Sequence, residues 1–425
     1  FAKLRGSIAR VGNDAGFDRL INSYSYGGLF RNDMAWFQGD AVRKNPNLKP
    51  ETTISKEIGA EVRLLDGRLT ADVTYYDKYT RDQIVESELS YLSNYQRVII
   101  NSGKISNKGW EISVSGVPVK VKNFEWKTIF NWSKNNSMVE SLPEGIDKIQ
   151  IGSGVYNVKS YAEVGKPYGA IYAKTFKRDA EGYILCQLDG SPKEGQDYEY
   201  LGCVQADWRG GWNNVFRLGN FSFSVMFDFQ KGGKFFSQTS IQSSVDGQSV
   251  KSLEGRDADF FSRKILGESD EERYGFMRPQ NANTPTANGQ IYPDWGRPKG
   301  VVLPNCRYDE DVEGLAGQQV LGYCTPERYW MHYTSRDISR FIYDASYVKL
   351  REITVSYDLP KKWLRKTPFQ TFRVAAVGRN IATLFANTPH GLDPQATSTT
   401  GNAQGFERGF NLPSATYGFD IKVSF

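Results

Sequence analysis

The chain has 425 residues, with 53 basic and 48 acidic side chains and a formal net charge of +5. Charges of both signs are mixed along the sequence and form no basic tract, which argues against a nucleic-acid partner. Mean hydropathy is −0.52, and no apolar run reaches the ~18 to 20 residues that a membrane-spanning helix needs. Composition therefore excludes transmembrane helices and leaves a water-soluble β protein or a membrane β-barrel.

A two-residue period of apolar and polar side chains recurs along the chain. Its clearest example is FSFSVMFDF at residues 221–229, where the rings fall on alternate positions. Because successive side chains of a strand point to opposite faces, this pattern predicts a strand with one apolar and one polar side. The same pattern predicts ten spanning strands, at residues 1–11, 52–65, 67–80, 106–117, 122–133, 208–218, 220–230, 344–358, 369–380 and 412–425.

The length of these segments distinguishes the two remaining classes. Strands of soluble proteins are typically ~5 to 6 residues long, whereas tilted membrane strands need ~9 to 11. Aromatic residues make up 14% of the chain, including 25 Phe and 24 Tyr, which fits belts of rings at two membrane interfaces. We therefore predict an all-β fold, a transmembrane antiparallel β-barrel in which residues 1–425 form one architecture.

The links between the predicted strands alternate between short and long. The short ones fall near residues 66–67, 119–123, 219–220 and 359–370, and the long ones are 12–51, 81–105, 134–207, 231–343 and 381–411. Tight periplasmic turns and extended outside loops are typical of outer-membrane barrels. The largest loop, 231–343, is long enough to contain its own helix or small strands, and a loop of that size is expected to be functional. The segment YGAIYAKTF at residues 168–176 fits either loop strands or an extra spanning pair.

Several segments together resemble a known family. NPNLKPETT at residues 45–53, followed by the DG turn and RLTADVTYYDKYTRDQI, is similar to a recurring segment of TonB-dependent outer-membrane transporters. GKISNKGWEISVSG, WNNVFRLGNFSFSVMFDFQKGGK, YVKLREITVSYDLP, FRVAAVGRNIATLF and ATYGFDIKVSF resemble the SusC/RagA branch of that group. The resemblance covers most of the predicted strands in order and does not extend to the loops.

The resemblance implies a function for the whole protein. It implies TonB-dependent import of oligosaccharides or oligopeptides across the outer membrane of a Gram-negative bacterium, together with a SusD-like surface lipoprotein. A plugged transporter of this kind has ~22 strands, so residues 1–425 would be about half of the barrel, its C-terminal portion. The plug domain and the TonB-contacting segment are not visible in the sequence. The N-terminal half is then either a separate chain or outside this numbering.

The polar strand positions and the C-terminal residue acquire roles within this scheme. Charged residues on the polar faces are expected to meet the plug or the lumen; they are Glu57, Glu61, Arg63, Asp72, Glu111 and Asp228. The resemblance also implies that Phe425, an aromatic end to an amphipathic last strand, is an assembly signal. The alternative for Phe425 is simple packing against lipid.

Ligand contacts are predicted in the outside loops. The segment IYPDWGRP brings together Tyr292, Asp294, Trp295 and Arg297, and the segment ERYWMHY adds Arg328, Tyr329, Trp330 and Tyr333. Rings beside polar groups can stack on sugars or pack on peptide side chains. The alternative is that these rings only hold a long loop together.

The four cysteines all fall in predicted outside loops. Four cysteines allow three pairings. The local pairing, Cys186 with Cys203 and Cys306 with Cys324, would close short loops in an oxidising compartment. Free thiols are the alternative.

Catalysis and cofactors are not expected. The chain has only two histidines, His332 and His390, and no His-plus-carboxylate cluster has metal-ligand spacing. A surface adhesin or another non-transporting β-structure is the alternative to a transporter. Such a scaffold could have amphipathic strands but has no need of alternating short and long links.

Overall fold

The computed structural model describes residues 1–16, 18–31, 33–89, 91–188, 190–253, 301–324, 329–389, 391–396, 404–409 and 413–425. Its main element is a ten-stranded antiparallel sheet in which each strand pairs with the preceding and following strand of the sheet along the chain. The strands are β1 (Ala2–Asn13), β2 (Glu51–Leu64), β3 (Leu69–Arg81), β4 (Lys104–Val121), β5 (Phe124–Ser141), β6 (Trp208–Leu218), β7 (Phe221–Lys231), β8 (Tyr347–Asp358), β9 (Thr371–Ala386) and β10 (Thr416–Ser424).

All ten predicted spanning segments are strands of this sheet, and the predicted antiparallel order is confirmed. The largest boundary differences are at the ends of β5 and β9, which run to Ser141 and Ala386 where the sequence predicted 133 and 380. Strands β4 and β5 are the longest, with 18 residues each. These two strands pair along almost their whole length, with bulges that interrupt the register near Lys127 and Glu140. Strands β1 and β10 are the two edges of the sheet.

The alternation of short and long links is also confirmed. Short links at residues 65–68, 122–123, 219–220 and 359–370 lie at one end of the sheet, and the long links 14–50, 82–103, 142–207, 232–346 and 387–415 lie at the other. The β2–β3 turn places Leu65, Asp66 and Gly67 at positive φ. Asp and Gly adopt this conformation more readily than most residues, which explains the DG signal in the sequence.

The long links fold into a layer of small elements above the sheet, which we call the loop layer. Its helical turns are Tyr91–Ser93, Gln238–Val245, Val250–Leu253, Tyr329–Tyr333, Thr334–Arg336 and Ile338–Phe341, and a further short helix, Lys361–Leu364, lies in the link after β8. Its strands are Tyr24–Phe30, Met34–Gly39, Val42–Arg43, Ile84–Glu88, Arg97–Asn101, Lys148–Ser153, Lys159–Glu163, Ala170–Ala173, Ile184–Cys186, Glu199–Cys203, Lys234–Ser237, Val301–Tyr308, Gln319–Cys324, Ile342–Asp344 and Phe406–Glu407.

The loop layer contains most of the buried apolar side chains. One cluster includes Phe176, Leu303 and Trp330, and a second includes Ile171, Phe236 and Phe341. The expectation that loop 231–343 has its own helix or small strands is confirmed, since it has both. The segment 168–176, left open by the sequence, contributes Ala170–Ala173 to a four-stranded sheet of the loop layer and adds no strand to the ten-stranded sheet.

None of the helices in the described part of the chain is long and apolar enough to cross a membrane.

Candidate functional site

The two faces of the ten-stranded sheet differ sharply in chemistry. Neighbouring strands align residues into rows that cross the sheet. One row of the apolar face consists of Leu4, Ala60, Val73, Ile112, Trp132, Gly210, Phe229, Val348 and Phe385. The next row of the polar face consists of Lys3, Glu61, Asp72, Ser113, Asn131, Gly211, Asp228, Lys349 and Thr383. One side of the sheet is therefore suited to hydrocarbon and the other to water or polar partners.

A groove of about 520 Å³ crosses the polar face beneath the loop layer. Its charged and polar lining residues come from six of the first seven strands and are Arg5, Asp72, Thr74, Glu111, Ser113, Asn131, Ser133, Arg209 and Asp228. A second cavity of about 230 Å³ shares Ser133 and Arg209 with this groove and is also lined by Val204 and Gln404 of the loop layer. The groove is therefore continuous with the underside of the loops.

An arginine–carboxylate pair lies at each end of the groove. At one end, the Arg5 guanidinium donates to both oxygens of Asp72, at 2.5 and 2.6 Å. At the other end, Arg351 donates to Asp228, which also accepts from the Tyr347 hydroxyl at 3.2 Å. The paired geometry fixes the direction of both carboxylates.

Glu111 and Arg209 lie between these two pairs and leave both signs of charge available to a bound molecule. Glu111 has no ion-pair partner among the described residues, and Arg209 donates to the side-chain oxygen of Gln230 at 3.0 Å. The hydroxyls and amides between them can donate and accept hydrogen bonds. The arrangement suits a polar ligand with several hydrogen-bonding groups.

A buried ion pair connects this polar face to the last long link. The Lys349 ammonium is fully buried and lies 2.6 Å from both oxygens of Asp393. It also donates to Gln395 at 3.0 Å, and Gln395 accepts from Arg351 at 2.7 Å. The segment around Asp393 is thereby held against the wall next to the groove.

A second ion cluster joins two parts of the loop layer. Asp309, with a side chain only 4% exposed, accepts from Lys193 at 2.7 Å and from Lys177 at 2.9 Å. Burial opposes ionisation of this carboxyl, but the hydrogen bonds from the two lysines outweigh burial and lower the pKa of Asp309 from 3.8 to about 2. The cluster therefore ties the strand Val301–Tyr308 to the segment around residues 177–193.

The comparisons with known proteins identify the family. The family model described as TonB dependent receptor-like, beta-barrel matches residues 2–381. The chain belongs to the TonB-dependent receptor family. Its ten-stranded sheet is barrel wall, its polar face is the lumen side, and its apolar face is the lipid side.

Individual relatives agree with this assignment. TonB-dependent receptor P3 of Formosa agariphila is 25% identical over 88% of this chain and 33% of that receptor. TonB-dependent receptor SusC of Bacteroides thetaiotaomicron is 29% identical over 24% of this chain and 10% of SusC. The RagAB peptide transporter has the same fold, with a TM-score of 0.64 and 16% identity over all of this chain and 41% of that chain. The resemblance to SusC/RagA-type receptors is confirmed, and the chain spans about a third of the length of the first of these relatives.

The lumen-side prediction for charged strand residues is confirmed. Asp72, Glu111 and Asp228 line the groove. Strand pairing places the others on the same face: Glu61 lies beside Asp72, Arg63 follows Glu61 two positions along β2, and Glu57 lies beside Tyr76. Sequence reasoning missed Arg5, Lys349 and Asp393. Arg5 and Lys349 could have been found from the period, because each lies on the polar side of its strand.

The loop residues predicted to bind ligand have a different outcome. Tyr292, Asp294, Trp295, Arg297 and Arg328 lie outside the described residues. The side chains of Tyr329, Trp330 and Tyr333 are only 1 to 3% exposed and belong to the buried cluster around Phe176 and Leu303. These three rings hold the loop layer together, as the alternative interpretation proposed, and present no ring face to the outside.

The predicted local disulfide pairing is wrong. Cys203 is a free thiol, so no bridge joins it to Cys186. Cys306 and Cys324 lie on the two strands of one hairpin in the loop layer. In the register of this hairpin, Cys306 is opposite Val320, whereas Cys324 is opposite Val301. The backbones of Cys306 and Cys324 are therefore about 15 Å apart at ~3.3 Å per residue, beyond the ~7 Å that a disulfide can span.

Phe425 lies at the end of the sheet where the short turns are. Its ring is 76% exposed and contacts the Phe369 ring, with centroids 5.3 Å apart. Its role as an assembly signal stays a prediction.

Proposed function

We propose that residues 1–425 form the C-terminal portion of the barrel of a TonB-dependent outer-membrane transporter that imports oligosaccharides or oligopeptides. The proposal rests on one observation above all: a polar, charged groove crosses the inner side of a wall whose outer side is apolar. A wall of this kind separates a lumen from lipid. The plug domain and the remaining strands would come from the part of the receptor that precedes this match.

The groove gives the wall two ways to act in transport. Its carboxylates and guanidinium groups can bind the plug, and its hydroxyls and amides can form transient hydrogen bonds with a polar cargo. Release would follow when TonB pulls the plug and uncovers this face. The charges of both signs, from Arg209 and Glu111 among others, are compatible with peptide termini and with hydroxyl-rich sugars alike.

The loop layer would be the docking surface of a SusD-like lipoprotein. Three apolar clusters and the Asp309 ion cluster make this layer a folded unit. A folded layer can present one defined surface to a partner without a large ordering cost. Substrate would then be trapped between the lipoprotein and the groove.

Growth and uptake experiments test the transport proposal. A strain lacking the full-length receptor should lose growth on a defined set of oligosaccharides or oligopeptides, and the wild-type gene should restore it. Uptake of the labelled nutrient should also stop when TonB is deleted. A deletion strain that grows normally on every glycan and peptide tested would contradict nutrient import. A strain that loses surface attachment while uptake is unchanged would favour an adhesin.

A matched pair of variants tests the groove itself. Glu111→Gln removes from the groove a charge that has no ion-pair partner among the described residues, whereas Asp66→Asn removes an exposed charge from the short β2–β3 turn, at the other end of the sheet from the loop layer. We expect the first variant to change the uptake rate of the identified nutrient at unchanged surface abundance, and the second to match the wild type. Equal uptake by both variants would remove Glu111 from the transport path.

A further inference from the structure

The end of the apolar face that lies near the long links is strongly cationic. Going from the short turns towards the long links, the first charged side chain on the apolar side of β1, β2, β3, β4, β5 and β7 is Arg10, Lys56, Asp77, Lys108, Lys134 and Lys231, respectively. Five of these six residues are basic. We call this set the cationic border.

Strand register places the cationic border on the lipid side. Each of its members lies two positions beyond an apolar-face residue of its own strand, and two positions along a strand return to the same face. Lys108 follows Trp110, and Lys134 follows Trp132. The rings of Tyr75 and Trp110, with centroids 4.9 Å apart, lie directly below the Asp77–Lys108 pair. Paired rings at this position are typical of the boundary between hydrocarbon and headgroups.

The two ends of the apolar face differ in charge. At the short turns the strands end in apolar side chains on this face, including Leu64, Leu69, Leu218, Phe221 and Tyr357. Among the paired strand positions of this face, the cations therefore lie at the end with the long links. If charged side chains served only to end the apolar band at the membrane surface, the two ends of the apolar face would not need to differ in this way.

Most of the border cations have no ion-pair partner in the part of the chain that the structure describes. Lys108 pairs with Asp77 at 3.3 Å, but Arg10, Lys56, Lys134 and Lys231 form no ion pair with another described residue. On the lumen side, by contrast, Arg5 pairs with Asp72, Lys78 with Glu57 and Arg351 with Asp228. The anions that complement the border are thus expected outside the chain, at the level of the lipid headgroups.

We infer that the cationic border is a binding site for phosphate-bearing lipid headgroups in the leaflet on the side of the long links. Lysine and arginine bind phosphate well, and their long stems can lie along apolar surface while the charge reaches the headgroup. Adjacent strands are ~4.8 Å apart, so the border offers several cations within the width of one headgroup. The site is separate from the groove, and its test is independent of transport.

Lipid binding to the purified full-length receptor tests this inference. Native mass spectrometry would measure the apparent dissociation constants of bisphosphorylated lipid A and of the same lipid after removal of both phosphates. The border variant changes Arg10, Lys56, Lys134 and Lys231 to Gln. The control variant removes the same number of charges from the lumen side by changing Lys3, Lys120, Lys127 and Lys422 to Gln. Heat-dependent mobility in gels verifies that each variant has folded.

We expect the wild type and the control variant to prefer the phosphorylated lipid by at least about tenfold, since each cation near an anionic surface contributes roughly 1 kcal/mol. The border variant should bind both lipids equally. A variant changed only at Lys56 and Lys134 should show an intermediate preference for the phosphorylated lipid. This double variant replaces the fourfold variant in the test if the fourfold variant fails to fold. The inference is overturned if the wild type does not discriminate between the lipids, or if the control variant loses as much preference as the border variant.

Discussion

Lys349 of β8 and Asp393, in the link that follows β9, form a buried ion pair in which the ammonium lies 2.6 Å from both carboxylate oxygens. The two residues are 44 positions apart in the sequence. Gln395 accepts from both Lys349 and Arg351, so the pair extends towards Asp228 at the end of the groove. The pair is the point at which a loop segment is fastened to the lumen side of the wall.

Removing the lysine should release this segment. Lys349→Met leaves the Asp393 carboxylate near the wall without its ammonium partner, and breaking a buried pair typically costs ~3 to 5 kcal/mol. We expect hydrogen exchange of residues 391–396 in the full-length receptor to increase strongly, while exchange within β8 changes little. Mass-spectrometric exchange measurements on peptides from this link would detect the change.

Two further variants show whether the pair itself is responsible. Lys127→Met removes an exposed lysine that forms no ion pair with a described residue, and it should leave the exchange of residues 391–396 unchanged. The double variant Lys349→Met with Asp393→Leu removes both charges and should restore part of the protection. If Lys349→Met left this segment as protected as in the wild type, the pair would not be what fastens it.

Trp330 is expected to stabilise the loop layer. Its side chain is 2% exposed and packs edge-to-face with the Tyr329 ring, with centroids 5.1 Å apart. Trp330→Ala should cost ~3 to 5 kcal/mol of local stability, seen as faster proteolysis of the loop layer with the barrel intact. The neighbouring Met331 is 50% exposed, and Met331→Ala should have little effect. Loss of nutrient binding by Trp330→Ala without faster proteolysis would instead restore the predicted ligand role.

The strands of the wall were predictable because their signal is local. A side chain such as Phe227 is apolar because its face meets lipid, and this requirement repeats every second residue whatever the rest of the chain does. The turn at Asp66 and Gly67 is equally local, because positive φ restricts the residue types there. The position, order and direction of the strands therefore followed from the sequence alone, whereas β4, β5 and β9 run several residues beyond their predicted ends.

The loop layer was not predictable in the same way. Trp330 packs in one cluster with Phe176 and Leu303, and nothing in the sequence around Trp330 distinguishes a core ring from a ligand-stacking ring. The cysteine pairing failed for a related reason. Proximity in sequence suggested Cys306 with Cys324, but both lie on one hairpin whose register separates them by several residues.

The Arg5–Asp72 pair is expected to contribute little to stability. Its side chains are 40% and 33% exposed, and water screens an ion pair that is this open. In a double-mutant cycle with Arg5→Gln and Asp72→Asn, measured by urea unfolding in detergent, the effects of the two substitutions should add with little coupling. Coupling as strong as that of a buried ion pair would contradict an open groove around Arg5.

The stability of the loop layer should depend on pH through Asp309. Its folded pKa of about 2 lies below the ordinary value of 3.8, so the ionised carboxylate stabilises the folded layer above about pH 4, and this contribution is lost as the pH falls towards 2. The shift corresponds to about 2 kcal/mol.

Proteolysis of the loop layer by an acid-active protease should therefore accelerate between about pH 4 and 2 in the wild type. Asp309→Asn should be less stable at neutral pH and should show a smaller acceleration. Glu310→Gln neutralises a neighbouring exposed carboxylate that has no ion-pair partner among the described residues, and it should behave like the wild type. Equal pH profiles for the wild type and Asp309→Asn would mean that Lys177 and Lys193 do not hold this carboxylate in its ionised form.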